Sequence, residues 1–146
     1  MGLDMYLTKK NYIGAEYEHR KVKGKVEITI DGKPVPITFD NIQYVIEKVG
    51  YWRKANAIHG WFVQNIQRGK DDCGEYFVPF EKLVELRNLC KSILRDTNLV
   101  TLLPPTEGFF FGSDKVDHYY YQDLEETIRI INKLCPYGDY YYQSSW

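Results

Sequence analysis

Asp31-Gly32 lies between two runs of alternating apolar side chains, with Val26, Ile28 and Ile30 before it and Val35, Ile37 and Phe39 after it. Alternation with period two marks a strand with one buried face, and an Asp-Gly pair favours the tight turn that joins antiparallel strands. This stretch is therefore predicted to be a hairpin over residues 25–39, which argues for an antiparallel sheet. Pro34 and Pro36 have no amide N–H to donate. The second strand is expected at an edge, or with its alternate N–H groups facing water.

The remaining elements follow from periodicity and punctuation. Leu3, Met5 and Leu7 alternate with Asp4, Tyr6 and Thr8, which predicts an N-terminal strand. Asp40 is placed to cap a helix carrying Ile42, Val45, Ile46 and Val49, and a second helical stretch is predicted over residues 51–67. Tyr76-Phe77-Val78 reads as a short strand, and Pro79 suits the first turn of a helix with Leu83, Leu86, Cys90 and Ile93 inward. Phe109-Phe110-Phe111, between two glycines, predicts a buried strand. Asp117 is placed to cap a last helix with Tyr121, Leu124, Ile128 and Ile131 inward, and residues 139–146 predict a terminal aromatic strand. The sum is one α+β domain over residues 1–146: a mainly antiparallel sheet with about four helices packed on one face.

Charge and composition remove several function classes. The chain has 146 residues and a net charge of −1, so it is neither a basic nucleic-acid coat nor an acidic DNA mimic. The balance is uneven: 16 basic and 13 acidic side chains fall in residues 1–100, against 3 and 7 beyond. The basic excess gathers at Arg20, Lys21, Lys23 and Lys25, where lysine discourages pairing at a strand edge. No apolar run is long enough for a membrane helix, and the first residues lack the pattern of a secretion signal. Three widely spaced cysteines fit reduced thiols, so a cytosol is the expected location.

The stretch Tyr51-Trp52-Arg53-Lys54-Ala55-Asn56-Ala57-Ile58-His59-Gly60-Trp61-Phe62 is the least ordinary. At 100° per residue, Tyr51, Ala55, Ile58 and Phe62 form a core stripe. Trp52 and His59 lie on its flank, Arg53 and Asn56 continue outward, and Lys54 and Trp61 occupy the opposite flank. This predicts a pocket margin with a flat apolar wall, a switchable imidazole and polar hooks. Gly60 is costly inside a helix, by up to about 1 kcal/mol against alanine, and so points to a close approach there. In the tail, alternation groups Tyr140, Tyr142, Ser144 and Trp146 on one face. Tyrosine and tryptophan suit an interface because they offer area at low rotamer entropy.

Catalytic and cofactor signatures are missing from the sequence. There is no G-x-S-x-G elbow, no Walker loop, no G-x-G-x-x-G and no paired His or Cys at metal spacing. Asp114, Asp117 and His118 are explained more simply by helix capping than by a cation. No cofactor and no metal is expected, and the chain reads as a non-enzyme.

The opening Gly2-Leu3-Asp4-Met5-Tyr6-Leu7, the block Val49-Gly50-Tyr51-Trp52-Arg53-Lys54-Ala55-Asn56-Ala57-Ile58-His59-Gly60-Trp61-Phe62 and the block Gly108-Phe109-Phe110-Phe111-Gly112-Ser113 are informative together. They resemble a group of small proteins encoded by bacteriophages and prophages, over most of the chain. No activity is assigned to that group, so the resemblance carries over no functional residue. It implies a setting, the cytosol of an infected bacterium, and an accessory role exerted by binding.

Three readings follow. The first is a phage-type binding protein that inhibits or redirects a host factor, such as a defence component, with Tyr and Trp as anchors and Arg53 and Lys54 setting orientation. The second is a binder of a nucleotide-like anion, in which Tyr51 or Trp52 stacks on a base while Arg53, Lys54 and His59 meet phosphate. It requires those residues to converge on a concave site. The third is an enzyme using His59 or His118 as general acid or base. Sequence-specific DNA reading is not expected.

Overall fold

The computed structural model describes residues 2–14, 17–20, 27–108 and 110–146. Its elements are β1 (Asp4–Tyr12), β2 (Thr29–Ile30), β3 (Lys33–Pro34), β4 (Tyr44–Arg53), α1 (Asn56–Asn65), β5 (Tyr76–Val78), α2 (Phe80–Arg95), α3 (His118–Asn132) and β6 (Asp139–Ser145). A six-residue 3-10 helix, Thr97–Leu102, follows α2.

Four strands form one sheet in the order β4-β1-β6-β5, and each neighbouring pair is antiparallel. Alternation decides which face is buried. Leu3, Met5 and Leu7 lead one set of side chains inward, joined by Trp52, Val78, Tyr140 and Tyr142. Asp4, Tyr6, Phe77, Tyr141 and Gln143 point the other way. The inward face is covered by α1 through Ile58 and Phe62, by α2 through Leu83, Leu86 and Ile93, and by α3 through Leu124 and Ile131. The chain is thus an α+β fold with its helices on one side. Gly50 explains part of that fit, because a Cβ there would stand 2.9 Å from Ile130 Cγ2 on α3.

Local signals set several elements as predicted. Asp117 caps α3 by accepting the N–H groups of Tyr119 and Tyr120. Asp31 (φ 51°) and Gly32 (φ 74°) make the expected left-handed turn, but among the described residues the half-buried hairpin expected over 25–39 is reduced to β2 and β3, two exposed residues each, outside the main sheet. Residues 21–26, which hold Lys21, Lys23 and Lys25 and the first part of the predicted hairpin strand, lie outside the described residues, as does Phe109.

Three expectations are corrected. Residues 40–49 do not form a helix; they hold a 3-10 turn, Phe39–Asn41, and the first part of β4. Val45, Ile46 and Val49 are β-branched, and the adjacent Tyr44, Tyr51 and Trp52 are aromatic, so the segment suits a strand once β1 is there to pair with. The next helix runs only over Asn56–Asn65, because Tyr51, Trp52 and Arg53 finish β4 and Lys54 (φ 59°) turns the chain. Phe110 and Phe111 belong to a loop rather than a strand. That loop is still pinned: Leu3 donates its N–H to Phe110 O, and Phe111 is buried.

Among the described residues, no helix is long and apolar enough to cross a membrane. Cys73, Cys90 and Cys135 are free.

Candidate functional site

The junction from β4 into α1 organises the site. Lys54 donates its N–H to Leu3 O at 2.7 Å, which closes the strand against β1. Its left-handed backbone then starts α1 at Asn56. Gly112 (φ 90°) packs against this turn, where a Cβ would stand 3.2 Å from Lys54 Cβ. Asn56 is buried and bridges loops: its Nδ2 donates to Phe111 O at 3.1 Å and Ser113 O at 2.7 Å, and its Oδ1 accepts Thr106 N–H at 3.1 Å. The amide fixes the wall of the site and leaves little hydrogen-bonding capacity for a ligand.

Beside this junction lies a cleft of about 410 Å³, lined by Arg53, Lys54, Lys115, Asp117, Tyr119 and Asp123 among others. Among the described residues, none of the three cations is in an ion pair. The two acids do not balance them. The carboxylate of Asp117 is committed to the helix cap; its hydrogen bonds, that from Tyr120 N–H first, hold it below the usual range. Burial, reinforced by the charge of Asp117, pushes Asp123 up to about 7, so near neutral pH it is close to half-protonated. The cleft is therefore net positive. Tyr119, 62% exposed, supplies an aromatic surface on its wall.

The predicted residues divide into groups. Arg53, Lys54 and Asn56 converge on the cleft. Trp52 is buried instead; its indole N–H donates to Thr127 Oγ1 at 2.9 Å and its ring meets Phe62 edge-on. Trp61 is buried against Phe62 as well and lines a separate cavity of about 460 Å³. Tyr140 is fully buried and donates its hydroxyl to Cys135 O. Tyr142 is also fully buried, with its ring stacked on Phe62 at 3.9 Å. Tyr51 lies on the open face of the sheet, where its hydroxyl donates to Asp4. Trp146 is half-exposed beyond the end of β6.

His59 is the main correction. It is buried rather than half-buried, in the wall of the same cavity that Trp61 lines, with both ring nitrogens engaged. Asp71 Oδ2 only accepts, so His59 Nε2–H donates to it at 3.0 Å, and Nδ1 accepts the Tyr142 hydroxyl at 2.7 Å. Burial first, and then the Asp71 charge, holds the Tyr142 hydroxyl well above its ordinary pKa, so it remains a donor. Asp71 Oδ1 accepts the Trp146 indole N–H at 3.1 Å, which ends the chain of bonds. The helical relation expected between Trp52 and His59 does not exist, since Trp52 belongs to a strand. Gly60 does mark a close approach: a Cβ there would lie 2.1 Å from Thr106 Oγ1.

Sequence reasoning missed Lys115, Tyr119 and Asp123. The available signal was Asp123 itself, an acid beside Leu124 and one turn after Tyr120, on the margin of the buried stripe of α3. Among the described residues, no three His, Cys, Asp or Glu side chains are grouped as metal ligands. Comparisons with family models, with curated proteins and with solved structures found no match to this chain.

Proposed function

We propose that this chain is a binding protein, and that its cleft takes a small organic anion of nucleotide-like form. One observation carries this reading: Arg53, Lys54 and Lys115 line a single concavity beside the exposed ring of Tyr119 and, among the described residues, none of them is in an ion pair, while Asp117 is engaged in the helix cap. The volume lies within the range of roughly 300–1,000 Å³ common for small-ligand sites. A guanidinium can hold a phosphate through two parallel hydrogen bonds, and the two ammonium groups add charge. Tyr119 supplies the stacking surface that the sequence had suggested for Tyr51 or Trp52. Binding is favoured over catalysis by His59, one of the two histidines offered as general acid or base, because both its ring nitrogens are engaged within the protein.

Titration calorimetry with AMP, ADP, ATP and inorganic phosphate tests this. A nucleotide should bind the wild-type protein, and Arg53→Ala should weaken it at least tenfold, about 1.4 kcal/mol. No heat with any nucleotide at millimolar concentration, or equal affinity in the variant, refutes the reading.

The open face of the sheet favours a second reading, in which the chain is a phage accessory protein directed at a host protein in the bacterial cytosol. Tyr6, Tyr51, Phe77 and Tyr141 share that face, and Tyr51 and Phe77 are exposed. Aromatic side chains of this kind are common interface anchors. A host protein retained by the wild type and released by Phe77→Asp would support it; retention by both would count against this face.

A further inference from the structure

The two edges of the main sheet are built differently. β5 is only three residues long and is followed at once by Pro79, two devices that discourage further pairing. β4 is ten residues long and contains no proline. Among the described residues, its outer edge has no strand beside it.

The direction of its free backbone groups can be read from the ladder. Ile13 donates its N–H to Gln43 O at 2.9 Å, next to the register pair Tyr12↔Tyr44. Bonded and non-bonded pairs alternate in an antiparallel ladder. Asn11↔Val45 and Lys9↔Glu47 are then the bonded pairs, and Tyr44, Ile46 and Lys48 turn their N–H and C=O groups away from β1. The side chains here are uncovered on both faces, with Tyr44 50%, Val45 43% and Ile46 58% exposed. The two charges that would guard such an edge are drawn onto the chain's own sheet. Glu47 accepts from Asn11 Nδ2 at 2.8 Å, and Lys48 Nζ lies 5.6 Å from the centre of the Tyr51 ring.

We propose that this edge is a self-association surface: a second copy of the chain adds its own β4, antiparallel, about a two-fold axis through Ile46. The register is self-complementary. Ile46 faces Ile46 of the second copy, and Tyr44 faces Lys48, so the outward groups at residues 44, 46 and 48 meet outward groups in matching positions. Each Lys48 ammonium then lies between Tyr51 of its own chain and Tyr44 of the other, a cation–π contact on the open face. Pairing stops where Gln43 bends back to Ile13 at one end and where the register shifts between Leu7 and Thr8 at the other. So short a ladder buries little area against the roughly 1,200 Å² of a stable interface. Ile28, Ile30 and Ile37, in the segment that joins β1 to β4, are exposed as well.

Sedimentation equilibrium from low to high micromolar concentration tests the proposal, together with hydrogen exchange of the full chain. The wild type should be a reversible dimer. Ile46→Lys, which sets two ammonium groups opposite each other at an exposed position, should weaken it about tenfold or more. Ile46→Pro, which removes an outward N–H and so is compatible with an edge strand, should do the same. In the wild type the amides of Tyr44, Ile46 and Lys48 should exchange more slowly as concentration rises, while Val45 and Glu47 are protected at every concentration. A monomer throughout, a dimer that both variants leave intact, or amides at 44, 46 and 48 that exchange equally fast at all concentrations would overturn it.

Discussion

Two polar clusters flank α1, and they differ in where their hydrogen bonds end. Around His59 the bonds close on the protein itself, from the Tyr142 hydroxyl through both ring nitrogens to Asp71 and on to the Trp146 indole. One turn earlier, at the start of the helix, Asn56 closes on backbone groups in the same way, but Arg53, Lys54 and Lys115 border a cleft and, among the described residues, are in no ion pair. In sequence the two clusters look alike, since both bring polar residues between aromatic ones. The difference lies in satisfaction: a buried group left unbonded costs stability, whereas a cation facing water costs little and remains available to a ligand. The first cluster is therefore read as structure and the second as a site.

Substitutions can break or sharpen this contrast. The largest effect is expected at His59. His59→Ala leaves a cavity and strands the buried Tyr142 hydroxyl, while Asp71 keeps only its bond from Trp146, and should cost about 3–4 kcal/mol in denaturant unfolding. Nucleotide affinity of the folded fraction should change less than twofold; a large loss of affinity would join the clusters into one site. Tyr142→Phe removes only the donor to Nδ1 and should cost about 1–2 kcal/mol.

Asp123 gives a pH-dependent effect of smaller size. Its folded-state value of about 7 lies above the ordinary 3.8, so the folded chain binds this proton more tightly than the unfolded one. Its protonation favours folding most below about pH 4, and that contribution falls as pH rises to about 7 and is then level. Asp123→Asn should remove this fall. The difference between wild-type and variant unfolding midpoints should therefore grow from pH 5 to pH 8 in favour of the variant. A constant difference would mean that Asp123 is not desolvated in the cleft. The smallest stability effect is expected for Arg53→Ala, within about 0.5 kcal/mol, because the side chain makes no ion pair among the described residues.

The parts of this fold that could be read from sequence are those set by near neighbours. The Asp117 cap needs only the next three residues, the Asp31-Gly32 turn is its own signal, and alternation marks Leu3, Met5 and Leu7 directly. Where the partner is remote, the reading failed. Ile42, Val45, Ile46 and Val49 fit a helical period, and only pairing with β1 resolves residues 44–53 as a strand. The burial of His59 depends on Tyr142, 83 positions away. Arg53, Lys54 and Asn56 were singled out by residue type, and a strand-turn-helix junction, not a helical flank, brings them together. Lys115, Tyr119 and Asp123 reach the same cleft from the far side of a loop that sequence periodicity does not describe.

The most direct test is the map of backbone amide shifts on adding ATP to the isotope-labelled protein, read by two-dimensional NMR. Shifts should cluster at residues 53–57 and 112–123, saturate with concentration, and disappear in Arg53→Ala. Shifts centred on His59, Trp61 and Asp71 instead, or a spectrum unmoved by ATP, would contradict the assignment of the cationic cleft as the binding site.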